Sequence, residues 1–263
     1  MKRAQGRTQA AVACVVGVAL VLAAGGCTSK SKSSHGTSAS QSPDPMLSTS
    51  PSPSPSASSA LFVFGYPAMW PFPSQQAADA WQVSYRNGGN QPWHLDAEQT
   101  ALRFSSGFLG YTDMTHVTAS KITGSDAHIS VGYASQAGKT STAAIVHVVR
   151  FGKEADSPWE VVGTDDTTLT LTTPGYGTPV GSPMVVGGRI TGVDESIKVQ
   201  VLQPSSPKAI GVTCCVAGGG DNQPWKTTVS YSSPIDPVLT VAASTGGHVK
   251  DVERFAVTAV RPH

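Results

Sequence analysis

The last third of the chain contains six short runs of β-forming residues, and this pattern restricts the possible folds more than any other feature. The runs are Met184 to Ile190, Ile197 to Leu202, Ile210 to Val216, Trp225 to Tyr231, Val238 to Ala242 and Glu253 to Val260. Clusters of Gly, Pro, Ser and Asp separate them, as turns between strands require. Strands at this spacing predict an all-β sandwich over residues 179–263. Phe255, Val257 and Ala259 share one face of the last strand, which we expect in the core.

The preceding residues, 61–174, are predicted to form a separate domain. The segment Thr173 to Pro179 is rich in turn residues and is typical of a joint between two domains of ordinary size. Ala77, Trp81 and Tyr85 recur every four residues after Pro73-Ser74, which is typical of a helix start, so they share one face of a helix that is expected to pack against other structure.

A second helix is indicated by Asp96 and Gln99, whose spacing matches a capping box, and Gly110 is expected to end it. The hydrophobic pattern then changes to that of strands, which are predicted around residues 129–133, 143–151, 159–163 and 169–171. Helices followed by a run of strands predict an α+β domain with helices on an antiparallel sheet. Its expected architecture is that of cystatin-like or nuclear-transport-factor-2-like folds.

The first 27 residues have the order of a secretory signal. Three basic residues among the first seven precede an apolar stretch from about Ala10 to Ala24, which is too short to span a bilayer. The small residues Ala24-Gly25-Gly26 before Cys27 resemble the lipobox of bacterial lipoproteins. The resemblance implies removal of residues 1–26 and lipidation of Cys27, which would hold the chain on the outer face of the cell membrane. An ordinary secreted protein and an uncleaved anchor are the alternatives.

Residues 27–60 are rich in serine and proline and are expected to be a disordered tether. The whole chain has 18 basic and 17 acidic residues, and loss of the three basic residues of the signal leaves 15 basic against 17 acidic. This slightly acidic balance argues against a nucleic-acid partner. The expected partners are the membrane, through the lipid anchor, and envelope proteins or cell-wall glycan.

Three segments of the second domain carry a family resemblance. Gly181 to Gly188, Ile197 to Val201 and Pro224 to Val229 resemble the immunoglobulin-like domain of bacterial spore germination proteins, often called Gmad2. The resemblance covers roughly residues 179–262 and implies an immunoglobulin-like sandwich attached to an envelope protein. It supplies no catalytic residues, and nothing in it indicates a role in spores.

Cys214 and Cys215 are the cysteines that follow Cys27. An even pair in an exported protein favours a disulfide. Adjacent residues, however, have Cα atoms ~3.8 Å apart across a trans peptide, below the usual disulfide range of ~4.4 to 6.8 Å. One packed and one more exposed thiol are therefore expected, with a vicinal disulfide that acts as a redox or conformational latch as the alternative.

His94, Asp96 and Glu98 form the densest group of titratable residues in the sequence. At a helix start, this spacing does not bring the three side chains to one face, as acid–base or metal chemistry would require. Asp96 is better explained as the helix N-cap and Glu98 as an acid that the helix dipole favours.

His116, His128 and His147 lie in predicted strands. His147 alternates in step with the apolar residues Ile145 and Val149 and is therefore expected on their face of the strand. His128 is out of step with Ile129 and Val131 and is expected on the face opposite to theirs. The two histidines are thus predicted to lie on different faces. No metal site is therefore predicted. Asp165 and Asp166 precede a predicted strand and suit a hairpin turn better than a calcium loop, which needs more oxygen ligands.

Asn-Gln-Pro-Trp occurs twice, at residues 90–93 and 222–225. A repeat or a pair of carbohydrate-stacking platforms is one interpretation. Because the flanking sequences differ, Trp93 and Trp225 are better explained as packing anchors at the starts of elements. Trp70 and Phe72, in a proline-punctuated apolar segment, are the stronger candidates for exposed aromatic surface.

Local motifs for a nucleophilic Ser, a phosphate loop or a zinc protease are absent from the sequence. The sequence therefore favours an envelope lipoprotein that acts as a non-catalytic binding or scaffolding module, without a cofactor. The alternative is a small-molecule binder with its pocket on the concave sheet of the first domain. The residues expected to line that pocket are Trp81, Phe104, Phe108 and Tyr133. An enzyme is the least favoured of the three functions.

Overall fold

A computed structural model of the chain describes residues 62–63, 65–135 and 138–263. Within these ranges the protein consists mostly of β-strands in antiparallel and mixed sheets, with few helices. The predicted signal, Cys27 and the predicted tether lie outside the described residues.

Two α-helices begin where the sequence places their caps. Helix α1 spans Gln75–Arg86, and the Ser74 hydroxyl at its start accepts a hydrogen bond from the backbone N–H of Ala77 at 3.2 Å. Helix α2 spans Ala97–Arg103, and Asp96 Oδ1 accepts from the N–H groups of the second and third helical residues at 2.9 and 3.1 Å. The N-cap predicted for Asp96 is confirmed, because its carboxylate satisfies two donors that the helix cannot.

The second helix is shorter than the sequence predicts. After Arg103 the chain passes into a π-helical turn, Phe104–Phe108, and a 3₁₀ turn, Pro92–Leu95, precedes the helix. Gly110 follows with a φ of +76°, a left-handed conformation that glycine adopts without a steric penalty. Within this turn the rings of Phe104 and Phe108 lie side by side, at a centroid distance of 5.6 Å.

The first sheet has four antiparallel strands in the order β3-β4-β5-β6. Their bounds are β3 His116–Thr123, β4 Asp126–Ala134, β5 Thr140–Arg150 and β6 Trp159–Thr164. Three of the four predicted strands are confirmed. The fourth, around residues 169–171, is not a regular strand, because Leu169 forms only a single β-bridge with Ile190. A short hairpin of β1 Phe62–Val63 and β2 Tyr66–Pro67 precedes the sheet in the chain.

The second sheet has five strands in the order β7-β11-β10-β8-β9. Their bounds are β7 Pro179–Val180, β8 Met184–Leu202, β9 Gly211–Val229, β10 Leu239–Thr245 and β11 Arg254–Pro262. The first four predicted runs form two long strands rather than four short ones. Register shifts between Ile190 and Glu195 absorb the turn-like residues, so the β8–β9 ladder continues through them. Strand β7 runs parallel to β11, which makes this sheet mixed.

Two clusters of buried hydrophobic residues contain the core side chains of these sheets. One contains Ile129 and Val146 of the first sheet, Phe104 of the π-helical turn, and Ala242 and Phe255 of the second sheet. The other lies within the second sheet, where both ends of the β8–β9 hairpin contribute. The face of β11 predicted to be buried is buried and belongs to the shared cluster. The sheets therefore pack on each other, while the division into domains at residues 174–179 stays a prediction.

Candidate functional site

The titratable group at residues 94–98 has a structural role. His94 is buried, and its ring lies 4.9 Å from that of Phe72 and 4.7 Å from that of Trp81. Burial, with a smaller contribution from Arg103, lowers the pKa of His94 to about 4. The imidazole is therefore neutral at physiological pH and packs as an aromatic ring among its neighbours.

The four residues expected to line a concave pocket lie in different surroundings. Phe104 and Tyr133 are buried in the hydrophobic cluster that the two sheets share. Trp81 packs at the edge of a separate small cluster with Phe72, and Phe108 is half-buried beside Trp70. Helix α2 and Phe104 pack against the first sheet, and a pocket shared by the four residues stays a prediction.

The predicted aromatic surface is only partly exposed. Phe72 is buried, whereas Trp70 is half-buried between the rings of Trp93 and Phe108, at centroid distances of 5.3 and 6.0 Å. The guanidinium of Arg103 lies 5.1 Å above the Trp93 ring. Since the aromatic rings stack on one another, their faces serve internal packing more than ligand binding.

Trp225 is also a packing anchor. Its side chain is buried in β9, and its indole N–H donates a hydrogen bond to the backbone carbonyl of Thr170 at 3.2 Å. Trp93 lies in a 3₁₀ turn instead. The two Asn-Gln-Pro-Trp segments thus belong to different elements, and they do not form equivalent sites.

Cys214 and Cys215 are joined by a disulfide in the structure, across a cis peptide bond. The Cα atoms are only 3.1 Å apart, which the cis geometry allows and the expected trans geometry does not. The expectation of two separate thiols therefore does not match the structure. Both residues are exposed on β9, at the wall of a cleft.

That cleft, which we call the junction cleft, has a volume of about 480 Å³ and lies between the segment after helix α2 and the second sheet. The residues that give it its polar character are Tyr111, Lys198, Gln200, Ser244, Thr245 and Asp251. Burial raises the pKa of Tyr111 to about 12, so its hydroxyl stays a neutral donor. Thr245 is 1% exposed, and its hydroxyl has no hydrogen-bond partner among the described residues.

A second constellation lies on the outer face of the first sheet and consists of Asp126, His128, His147 and Asp165; we call it the histidine–aspartate cluster. His128 and His147 are directly opposite each other on β4 and β5, and their rings stack at 4.5 Å. The Asp126 carboxylate lies 3.2 Å from His128 Nε2 and 2.8 Å from His147 Nε2. Asp126, His128 and His147 are described residues whose ligand atoms lie close enough together to hold one metal ion.

The prediction that His128 and His147 lie on different faces is wrong. Val146 and Val148, on either side of His147 in β5, belong to the buried cluster that the two sheets share, so His147 points to the opposite face. Asp165, predicted in a hairpin turn, instead follows β6 and approaches His128. His116 and Asp166 lie outside the cluster, the former at the start of β3, where its Nδ1 lies 2.9 Å from the Thr115 hydroxyl.

One sequence signal could have located this cluster. Gly138 and its polar neighbours separate two predicted strands, and a hairpin centred near residue 137 pairs residue 128 with residue 147. The sequence of β5 is apolar at nearly every position, so it does not indicate which face of the strand is buried. Strand parity alone does not decide this when both faces carry apolar residues.

Comparison with known proteins does not identify the chain. No protein-family model matches it, and no curated protein matches it. A crystal structure of an engineered protein is similar to part of the chain, with 22% identity over 36% of this chain and 19% of that chain, and a TM-score of 0.27. The chain thus spans about a fifth of the length of that engineered protein.

Proposed function

We propose that this chain is a lipid-anchored module of the cell envelope that binds its ligand, without catalysis, outside the cytoplasmic membrane. The signal-like start and the small residues before Cys27 support the anchor, and the Ser/Pro-rich residues 27–60 would separate it from the folded part. Among residues 62–63, 65–135 and 138–263, no helix has the length and apolar character needed to cross a bilayer.

The finer fold assignments belong to the same proposal. A four-stranded antiparallel sheet with helices supports a cystatin-like or nuclear-transport-factor-2-like first domain. The second sheet has five strands, and both ends of its long β8–β9 hairpin contribute to one hydrophobic cluster. This arrangement supports an immunoglobulin-like second domain of the spore germination type. Fold alone assigns no activity, so the ligand must be argued from a site.

The observation that carries the binding function is the junction cleft. Clefts between packed units are common ligand sites. This one presents hydroxyl, amide and ammonium groups, from Tyr111, Gln200 and Lys198 among others. The Tyr111 and Thr245 hydroxyls are both buried without a partner among the described residues, so a hydrogen bond to a ligand would offset a cost of about 1–3 kcal/mol for each. These groups suit a ligand rich in hydroxyls and amides, and cell-wall glycan is such a ligand in the compartment that the anchor implies.

The anchor is tested by metabolic labelling of the full chain with radioactive palmitate in a bacterial host. We expect label in the wild type and none in Cys27→Ser, because the thiol is the acceptor. Cys14→Ser is the matched control, since that cysteine lies within the signal, and it should remain labelled. Equal labelling of the Cys27→Ser chain would contradict the lipoprotein assignment.

The junction cleft is tested by calorimetric titration of the detergent-solubilised full chain with a soluble tetramer of N-acetylglucosamine. We expect saturable binding, weakened about tenfold or more by Lys198→Met, since a hydrogen bond from a charged donor contributes about 1.5–3 kcal/mol. Lys226→Met is the control, because Lys226 is exposed on β9 away from the cleft. Absence of saturable binding both to the tetramer and to isolated cell walls would refute the proposed glycan ligand.

A further inference from the structure

We infer that Asp126, His128 and His147 form a binding site for one divalent transition-metal ion, and that Asp165 orients one of the ligands. The inference is independent of the junction cleft and the lipid anchor. Its basis is the convergence of two imidazole nitrogens on one carboxylate, Asp126, at 3.2 and 2.8 Å. The ligand atoms of the three residues all lie within 4.8 Å of one another.

These separations match what a small metal ion requires. Zinc binds imidazole nitrogen and carboxylate oxygen at about 2.0–2.2 Å, so two ligand atoms of a tetrahedral site lie about 3.3 Å apart. The Asp126 oxygens are already 3.2 and 2.8 Å from the two Nε2 atoms. Because an imidazole binds a metal in the plane of its ring, the two parallel rings must tilt toward a common point to admit an ion, which side-chain rotation allows without a change in strand pairing.

Strand pairing fixes the backbone positions of the two histidines. His128 and His147 are cross-strand partners in the middle of β4 and β5, and their rings lie parallel at 4.5 Å with an interplanar angle of 9°. The ring of Tyr66 packs edge-on against His147 at 5.1 Å. A ligand set on paired strands loses little conformational freedom when it binds an ion, which favours affinity.

Asp165 supplies the support that metal-binding histidines commonly have. Its carboxylate oxygens lie 3.0 and 2.8 Å from His128 Nδ1. A hydrogen bond from Nδ1–H to this carboxylate leaves Nε2, the nitrogen that faces Asp126, with its lone pair available to the metal. A carboxylate behind a ligating histidine fixes its tautomer and raises its basicity.

The donor set indicates the class of ion. Two imidazoles and one carboxylate suit zinc, copper, nickel and cobalt, whereas calcium and magnesium require more oxygen ligands. The side chains of His128, His147 and Asp126 are 32%, 15% and 44% exposed, so an ion can reach them from solvent. Three protein ligands leave a coordination position for water or for a group of another molecule.

The charges around the cluster are compatible with a cation. Asp126 and Asp165 contribute two negative charges, and both are half-exposed. Lys121 lies opposite His128 on β3 and lines the shallow depression beside the cluster. Its positive charge would reduce the attraction for a cation and would favour an anionic fourth ligand on a bound ion.

The test is titration of the full chain, purified in detergent, with Co²⁺ and with Zn²⁺ at pH 7.5. We expect one equivalent of Co²⁺ to bind with a visible absorption band of low-coordinate cobalt, and Zn²⁺ to displace it. His147→Gln and Asp126→Asn should each weaken binding at least tenfold, and Asp165→Asn about 10-fold to 100-fold, as other supporting carboxylates do. His116→Ala should bind like the wild type, because His116 lies outside the cluster.

Thermal unfolding with and without Zn²⁺ provides a readout that does not depend on the absorption band. A ligand that binds only the folded state raises the unfolding temperature, so Zn²⁺ should stabilise the wild type and His116→Ala but not His147→Gln. Circular dichroism of the metal-free variants establishes that they fold. Absence of stoichiometric binding, or binding unchanged in both His147→Gln and Asp126→Asn, would overturn the inference.

Discussion

Replacing Phe104 by alanine is expected to lower the free energy of unfolding by about 3–5 kcal/mol, because the change removes a large buried ring and leaves a cavity. Phe104 is fully buried, and its ring centroid lies 6.0 Å from that of Trp70 and 5.6 Å from that of Phe108. For a folded region of this size, the melting temperature should fall by about 10 °C. Urea-induced and thermal unfolding, followed by circular dichroism, measure the change.

Two variants make this prediction specific. Phe104→Leu retains most of the apolar volume and should be clearly less destabilising than Phe104→Ala. Val83→Ala, at a residue of helix α1 that is 57% exposed, should change stability by less than about 0.5 kcal/mol. If Phe104→Ala cost less than about 1 kcal/mol, the ring would not be a core residue, and this result would favour the predicted pocket above the first sheet.

Replacing Glu160 by glutamine is expected to stabilise the protein at neutral pH. Glu160 is fully buried in β6, and Oε2 accepts a hydrogen bond from the Phe72 N–H at 3.2 Å, while Oε1 has no partner among the described residues. Burial raises the pKa of Glu160 well above its usual value, and backbone hydrogen bonds from the segment around Phe72 oppose only part of the shift. A neutral amide keeps the acceptor and avoids the buried charge.

The sign of the pH dependence follows from this raised pKa. The folded state binds the Glu160 proton more tightly than the unfolded state, whose pKa is about 4.3. The associated stability is complete below the unfolded pKa and is lost as pH rises through the folded pKa. Each pKa unit of difference corresponds to about 1.4 kcal/mol. The unfolding free energy of the wild type should therefore decline relative to that of Glu160→Gln as pH rises from 4.5 to neutrality.

Unfolding free energies at half-unit pH intervals measure this difference, since the other titrating groups are common to both proteins. Glu98→Gln is the matched control, because Glu98 is not fully buried and lies at the start of helix α2. Because this variant retains Glu160, its unfolding free energy should show the same decline relative to Glu160→Gln as that of the wild type. Parallel curves for Glu160→Gln and the wild type would show that the carboxyl of Glu160 is not protonated preferentially in the folded state.

The local features of the fold could be predicted from sequence because short-range chemistry specifies them. Ser74 and Asp96 are followed by apolar residues at helical spacing, and both cap helices as expected. The strands β4, β5 and β6 also follow from local apolar patterns. The long strands β8 and β9 did not, because bulges allow turn-like residues to remain within a ladder.

The candidate sites were harder to predict, because each depends on contacts between distant residues. His128 meets Asp165 across 37 residues of sequence, and the junction cleft combines the segment after helix α2 with three strands of the second sheet. Phe104 was predicted at the wall of a pocket, and the structure places it in the core. Its place in an amphipathic pattern is the same for a residue that lines a pocket and for one that fills it.

The sequence alone determined the helix starts, most of the first sheet and the β-rich character of the second, since capping, hydrophobic periodicity and turn chemistry act over a few residues. It also contains the signal-like start and Cys27, on which the proposed location at the cell envelope depends. Only the tertiary structure decided which face of β5 is buried, and therefore that His147 joins His128 and Asp126 on the outer surface. Strand register and the packing of two sheets are set by long-range contacts, and these have no local signature in the chain.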